Sequence, residues 1–160
     1  PKLIAAPVKY NVSNSFLEQF QLFDVLSLQG ATIGGFGIHK PFLCNGANLC
    51  YQKQVFFEVS GFQGNDQIAS GDDIFLLEKV TEIFPEKVYY LKSKEAIVST
   101  KPQPNFSSFI SQRTRWAAKT SHLNNTFSKF VGGIVLAYNL VLVLMFFFSI
   151  FKGYNYLFLK

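Results

Sequence analysis

Hydrophobic and polar positions before the last forty residues follow strand and helix periods in turn, which is typical of an α/β protein. Short apolar runs bounded by proline or glycine predict strands, whereas apolar residues three or four positions apart predict helices. The predicted strands and extended segments lie at 3–8, 41–51, 87–91 and 96–100. The predicted helices lie at 16–30, 53–60, 72–84 and 106–119. We expect the first strand near a sheet edge, because Pro7 cannot donate a backbone hydrogen bond.

The first helix has clear sequence signals at both ends. Ser15 followed three residues later by Glu18 is a capping box, and Gly30 supplies a stop. The aromatic residues of this helix predict a mixture of core packing and a position along a membrane surface, with core packing as the larger share. The glycine-rich stretch 34–37 predicts a flexible connection or an ordinary loop. It is not a dinucleotide fingerprint, because the order strand, G-x-G-x-x-G, helix is absent.

The C-terminal part has a different pattern, since no charged residue occurs between Phe130 and Phe151. As a helix this run would span about 33 Å, close to the thickness of one bilayer core. Buried helices of soluble proteins seldom run this long without a charge. We therefore expect a transmembrane helix at 130–152, with a buried core helix as the alternative. Residues 1–129 would form the preceding domain, and 153–160 would begin a following segment.

Acidic and basic residues are segregated along the chain. All ten acidic residues lie at or before Glu95, so the net charge of +5 belongs to the C-terminal part. Because the basic residues cluster just before the apolar run, the positive-inside rule places the preceding domain on the cytoplasmic side of the inner membrane. Anionic head groups or a phosphorylated substrate explain these charges, so membrane lipids are expected partners and nucleic acid is not.

The cysteines and histidines predict neither disulfides nor a metal site. Two cysteines, Cys44 and Cys50, indicate a reducing compartment, and we expect both to be small buried side chains. Neither cysteine has a metal-ligand spacing with His39 or His122.

The strongest candidate for chemistry is the segment 69–77, in which small residues lead into an apolar helix that begins with Asp72 and Asp73. A carboxylate is favoured at a helix N-terminus by the helix dipole, and there it can take a proton from an attacking hydroxyl. The alternative is structural, because Ser70 followed three residues later by Asp73 is also an acceptable capping box.

The segment 44–48 is a candidate for ligand binding. Gly46 lets the backbone approach a ligand, and the amides of Asn45 and Asn48 can bind sugar hydroxyls or phosphate oxygens. The alternative is a turn that is held by local asparagine hydrogen bonds.

The helix before the apolar run carries a third candidate group, and Asn105 is its predicted cap. Gln112, Arg115 and Trp116 share one face of this helix because they stand at i, i+3 and i+4. A guanidinium binds phosphate oxygens in pairs, an indole stacks on a sugar ring and an amide reads hydroxyls. The alternative is a basic helix that lies on lipid head groups.

In this order, the three groups resemble the C-terminal half of the catalytic domain of a membrane-bound family 2 glycosyltransferase, the processive type that includes cellulose and hyaluronan synthases. Gln112, Arg115 and Trp116 match that family's Q-x-x-R-W motif, and residues 70–72 fall where the family has T-E-D. Segments 44–48 and 61–62 look like its acceptor-side segment and G-G-F turn. The resemblance covers residues 1–130 and continues into the apolar run.

The resemblance implies an A-type nucleotide-diphospho-sugar transferase fold and an inverting transfer of sugar from a nucleotide-sugar to an acceptor hydroxyl. The acceptor would be a polysaccharide or a lipid-linked glycan of the cell envelope. By this match Asp72 would be the general base and Asp73 a neighbour of uncertain role. Arg115 would stabilise the departing diphosphate, while Gln112 and Trp116 would position acceptor or product.

The chain departs from the family pattern in two places. Gly71 replaces the usual glutamate, and no D-x-D motif is present. In the family, the carboxylates that bind the nucleotide and a Mg²⁺ or Mn²⁺ ion belong to the N-terminal half of the domain, so we expect this fragment not to bind donor alone. The rival hypothesis is a membrane-anchored binding or assembly module without chemistry, in which Asp72 and Asp73 only cap a helix.

Overall fold

The structure is a computed structural model, which describes residues 1–64, 71–120 and 125–158. The described residues form an α/β arrangement of five strands and five α-helices. The strands are β1 (Leu3–Ala5), β2 (Val8–Tyr10), β3 (Leu49–Tyr51), β4 (Val88–Tyr90) and β5 (Val98–Thr100). The helices are α1 (Phe16–Gly37), α2 (Lys53–Glu58), α3 (Asp72–Ile83), α4 (Phe106–Thr120) and α5 (Thr126–Phe158). The chain divides into two units, Pro1–Asn125 and Thr126–Lys160.

The strands of the first unit form two small sheets. One has the order β3-β1-β4, with β1 antiparallel to β3 and parallel to β4. The other pairs β2 with β5 in parallel. The chain changes sheet at Pro7, whose carbonyl accepts a hydrogen bond from the Val98 amide at 3.1 Å. The strands predicted at 87–91 and 96–100 therefore both form, and they join different sheets.

The predicted edge position of the first strand is wrong, because β1 is the central strand of its sheet. Pro7 lies beyond the end of β1, so its missing amide hydrogen removes no bond from the β1 ladder. Leu3 and Ala5 are buried, and they belong to a core built largely on the buried face of α3. The buried side chains of α3 are apolar and cover most of the helix circumference, because four of them are consecutive, and each stabilises the fold by about 1.5–3 kcal/mol. These residues are Ile74, Phe75, Leu76, Leu77 and Val80.

Helix α1 differs most from its prediction. It continues through Gly30 and the glycine-rich stretch to Gly37, so both the predicted stop and the flexible connection are wrong. A helical glycine costs about 1 kcal/mol relative to alanine, which tertiary packing outweighs here. Gly35 is buried so closely that an added Cβ would lie 2.8 Å from the Phe42 ring. The predicted capping box is also absent, since Glu18 accepts a hydrogen bond from the Ser13 amide at 2.6 Å.

The aromatic residues in the first half of α1 are largely exposed, contrary to the core packing expected for most of them, whereas Phe36 near the end of the helix packs against the core. Phe16 and Phe23 are 87% and 69% exposed, and Phe20 is 49% exposed. The buried positions are instead Gln21, Val25, Thr32 and Gly35. Among the cysteines, Cys44 is buried as expected, whereas Cys50 is exposed because it lies on the edge strand β3.

The second unit is dominated by α5. Among the described residues, Thr126–Phe151 is the one helical segment long and apolar enough to cross a membrane, with a mean hydropathy of 2.6 and none of it buried. The helix begins at Thr126, before the predicted 130, and continues to Phe158 without a break at 152. Length and composition thus support a membrane anchor at the C-terminal end of the described chain.

Candidate active site

The N-terminus of α3 presents its two carboxylates differently. Gly71 precedes the helix with a φ of 102°, a left-handed conformation that glycine adopts without steric cost. Its carbonyl accepts the first helical hydrogen bond, from the Phe75 amide at 2.9 Å. The helix therefore starts at Asp72, and the alternative capping residue, Ser70, lies outside the described residues.

Asp73 joins α3 to the segment 44–48. Its Oδ2 atom accepts a hydrogen bond from the Gly46 amide at 2.8 Å, and Oδ1 accepts one from the Ile74 amide at 2.9 Å. The Cys44 thiol donates to the Asp73 carbonyl at 3.3 Å. Hydrogen bonds from amides to a carboxylate are among the stronger ones in proteins, and the helix dipole favours this one further. Asp73 thus fixes the loop against the helix N-terminus.

Gly46 is shaped for this contact, since an added Cβ would lie 3.3 Å from the Cβ of Asp73. The neighbouring asparagines, Asn45 and Asn48, use some of their side-chain atoms in hydrogen bonds within the protein. Asn45 Oδ1 accepts from the Ala47 amide at 3.0 Å, as the local-turn alternative predicted. Both amide hydrogens of Asn48 are donated, to the carbonyls of Pro7 at 2.8 Å and Ala96 at 2.7 Å. Among the described residues, the polar atoms of these two side chains without such a bond are Asn45 Nδ2 and Asn48 Oδ1.

Asp72 contrasts with its neighbour. Its side chain is exposed at the first position of α3. Within the described part of the chain, no hydrogen bond or ion pair engages its carboxylate. Of the two predicted carboxylates, Asp72 is therefore the one available to a ligand.

Helix α4 is anchored to α1 at its start. Asn105 caps it as predicted, with Oδ1 accepting from the Ser108 amide at 2.9 Å. The fully buried Gln21 of α1 holds the segment before the cap by two hydrogen bonds to the Gln103 backbone, of 3.0 and 2.8 Å. The rings of Phe20 and Phe109 then meet edge to face, with centroids 5.9 Å apart. Through these contacts α1 sets the position of the predicted Q-x-x-R-W face.

The face itself contains a polar cluster that the sequence did not predict. Arg113 forms an ion pair with Asp24 of α1, and the Gln112 side chain lies beside the phenol of Tyr10. Burial raises the pKa of Tyr10 above its usual value of 10.0, with Asp24 adding to the rise and Arg113 and Gln112 opposing it. The missed signal was an acidic residue, Asp24, placed among aromatic residues in the first helix.

The three predicted residues of α4 differ in exposure. Arg115 is exposed, whereas Gln112 and Trp116 are half-buried. The Arg113 guanidinium lies 4.3 Å from the Trp116 ring centroid, which places a cation over the indole face. The structure thus builds one half of the predicted site around Asp72 and the other on α4. That Asp72 and the α4 residues line one cleft is a proposal.

A hollow of about 320 Å³ in the first unit is lined by neither half of the site. It lies between the end of α1 and strand β4, against Phe36, His39 and Tyr90. Among the described residues, no three His, Cys, Asp or Glu side chains come together in a way that would hold a metal ion. The resemblance implies that a Mg²⁺ or Mn²⁺ ion is bound mainly by a preceding half of the domain, and this stays a prediction.

No family model matches this chain, and no match is found among the curated proteins or the solved structures with which it was compared.

Proposed function

We propose that this chain is the acceptor-side part of an inverting family 2 glycosyltransferase. It would transfer a sugar from a nucleotide-sugar to a hydroxyl of a polysaccharide or lipid-linked glycan at the cytoplasmic face of the inner membrane. The observation that carries the proposal is the unequal use of two adjacent carboxylates. Asp73 is committed to the Gly46 amide, whereas Asp72 is exposed and available to accept a proton.

In the proposed reaction, the acceptor hydroxyl attacks the anomeric carbon while Asp72 takes the hydroxyl proton. The bond between that carbon and the diphosphate oxygen breaks, and the nucleoside diphosphate leaves with its electron pair. Attack opposite the leaving group inverts the anomeric configuration. Arg115 would bind the departing diphosphate, because an exposed guanidinium can donate two parallel hydrogen bonds to phosphate oxygens.

The half-buried residues of the α4 face would bind the acceptor. The Trp116 indole would stack on a sugar ring, and Gln112 would donate to or accept from a hydroxyl. Gly46 and its neighbours would line the other side, since Asp73 fixes them beside Asp72. This arrangement assigns acceptor recognition to Asn45, Gly46, Asn48, Gln112 and Trp116.

The donor nucleotide and its divalent metal ion belong, in this proposal, to a preceding half of the same domain. When bound, the metal ion would neutralise part of the negative charge of the diphosphate. The described residues of this chain would act on the other side of the reaction, by taking the proton and holding the acceptor. Helix α5 would anchor this assembly in the bilayer, with the basic residues before it facing the cytoplasm.

A membrane-anchored binding or assembly module remains the second candidate, and specific hydrogen bonds favour it. Asp73, Asn45 and Asn48 all have structural roles, so part of the predicted site is explained without chemistry. That hypothesis leaves the exposed Asp72 without a function beyond a favourable helix-dipole interaction, which is worth about 0.3–1 kcal/mol.

The test is sugar transfer by membranes that contain the complete gene product to which this chain belongs. The membranes are offered a panel of nucleotide-sugars with Mg²⁺ or Mn²⁺, and both nucleotide release and the anomeric configuration of the product are measured. The proposal predicts release with one donor and an inverted product. A retained configuration, or no release from any donor by folded protein with glycan acceptors supplied, would contradict it.

A further inference from the structure

A row of three side chains runs along one face of α4. Phe109, Arg113 and Trp116 are spaced by four and three residues, which places them above one another on a helix. The Arg113 guanidinium lies 4.9 Å from the Phe109 ring centroid and 4.3 Å from the Trp116 ring centroid. Arg113 therefore contacts both rings and connects Trp116 to the start of the helix.

This row is attached to α1 at two points. Arg113 forms its ion pair with Asp24, and the Phe109 ring packs on Phe20. The side chains of Arg113 and Asp24 are only 21% and 32% exposed, so the pair is partly shielded from water. A planar guanidinium that is paired with a carboxylate and stacked on two rings has little freedom to rotate.

We propose that Asp24 and Arg113 are positioning residues that hold the Trp116 ring in one orientation, so that its outer face stacks on a sugar ring of the acceptor. The nature of the ligand rests on the function proposed above, whereas the positioning of the ring rests only on these contacts. Neither Asp24 nor Arg113 touches the ligand in this account.

The physical reason is the freedom of a half-exposed tryptophan. Its two side-chain torsions allow several rotamers on a helix surface, and the guanidinium favours the one in which the ring lies against it. Without Asp24, the Arg113 head group can turn toward water, because it no longer gives up an ion pair when it does so. The ring then loses its contact with the guanidinium and spends less time in this rotamer. Sugar stacking becomes weaker because the flat face is presented for less of the time.

Trp116 is the only tryptophan of the 160-residue chain, so the fluorescence of the purified chain in lipid nanodiscs reports on this ring alone. In Asp24→Asn, we expect acrylamide to quench the fluorescence about twofold more strongly than in the wild type. Glu58→Gln is a matched control, because the Lys2–Glu58 ion pair has similar side-chain exposures of 25% and 34%. Quenching in Glu58→Gln should equal that of the wild type.

The dependence on Arg113 is tested by combining variants. In an Arg113→Met background, Asp24→Asn should increase quenching no further, since its effect passes through the guanidinium. The conservative Asp24→Glu should restore most of the protection, which guards against a general loss of folding in Asp24→Asn. The proposal is overturned if Asp24→Asn quenches like the wild type, or if its effect is as large in the Arg113→Met background.

Activity measurements separate this inference from the proposed function. In the complete gene product, Asp24→Asn should raise the KM for acceptor about threefold or more, with kcat and the KM for donor changed less. If quenching rises as expected while the wild type transfers no sugar, the positioning stands and the proposed function fails. If transfer occurs but Asp24→Asn changes neither quenching nor acceptor KM, the positioning fails and the function stands.

Discussion

The Gly46 amide donates a hydrogen bond of 2.8 Å to Oδ2 of Asp73, and this contact distinguishes the two carboxylates at the start of α3. One carboxylate holds a loop, and the other, Asp72, is exposed beside it. Adjacent residues of the same type thus have different roles, which separate substitutions can reveal.

Asp73→Ala should destabilise the chain by about 1–2 kcal/mol, because it removes the acceptor of the Gly46 amide and a favourable charge at the helix N-terminus. The measurement is the free energy of unfolding by denaturant of the chain in detergent micelles. Glu82→Ala is the control, since Glu82 is exposed at the other end of α3 and should change stability by less than about 0.5 kcal/mol. Equal stabilities of the two variants would show that the Gly46 contact does not stabilise the loop.

Gly71→Ala should also destabilise the chain, by about 1–2 kcal/mol, because a side chain is strained at a φ of 102°. The matched control is Gly30→Ala in α1, where an added Cβ meets no atom within 4 Å. That substitution should stabilise the chain by about 0.5–1 kcal/mol, since alanine is the better helix former. The two free energies of unfolding, compared with the wild type, test the prediction; a neutral Gly71→Ala would contradict the left-handed conformation.

The left-handed conformation of Gly71 gives a structural reason for one departure from the family pattern. A glutamate at position 71, as in the T-E-D motif, would be strained at this φ, so the glycine has a structural reason in this chain.

The buried phenol of Tyr10 predicts a pH dependence of stability. Its pKa is raised in the folded state, mainly by burial, so the folded chain keeps the proton at a pH where the unfolded chain loses it. The resulting stabilisation is fully present below pH 10 and is lost as the pH rises through the folded pKa above 10. Tyr10→Phe should therefore lose less stability than the wild type above this pH. Unfolding free energies measured on both sides of it, with tyrosinate absorbance as a second signal, test this; parallel curves would contradict it.

The sequence predicted those parts of the structure that local signals determine. Asn105 caps α4, the acidic pair begins α3 and Asn45 holds a turn, because each depends on residues within three or four positions. The apolar run likewise forms one long helix, since its length and lack of charge need no partner to be recognised. These local features account for the starts of α3 and α4, for the long helix α5 and for the turn at Asn45.

Contacts between distant segments were not predictable from the pattern. Gly30 fails to stop α1 because packing on other segments outweighs the propensity of one residue. The burial of Gln21 depends on the Gln103 backbone, and the role of Arg113 depends on Asp24. These contacts form only because α4 packs against α1. The periodicity of neither helix indicates that packing.

The most direct test of the account is turnover by the complete gene product with the substitutions Asp72→Asn and Glu82→Gln, each assayed as nucleotide release from the preferred donor. Both substitutions remove one exposed negative charge from α3. The account predicts that Asp72→Asn lowers kcat by about a hundredfold or more, because the acceptor hydroxyl loses its general base, while Glu82→Gln leaves it unchanged. Near-normal kcat in a folded Asp72→Asn variant would contradict the assignment of Asp72 as the base.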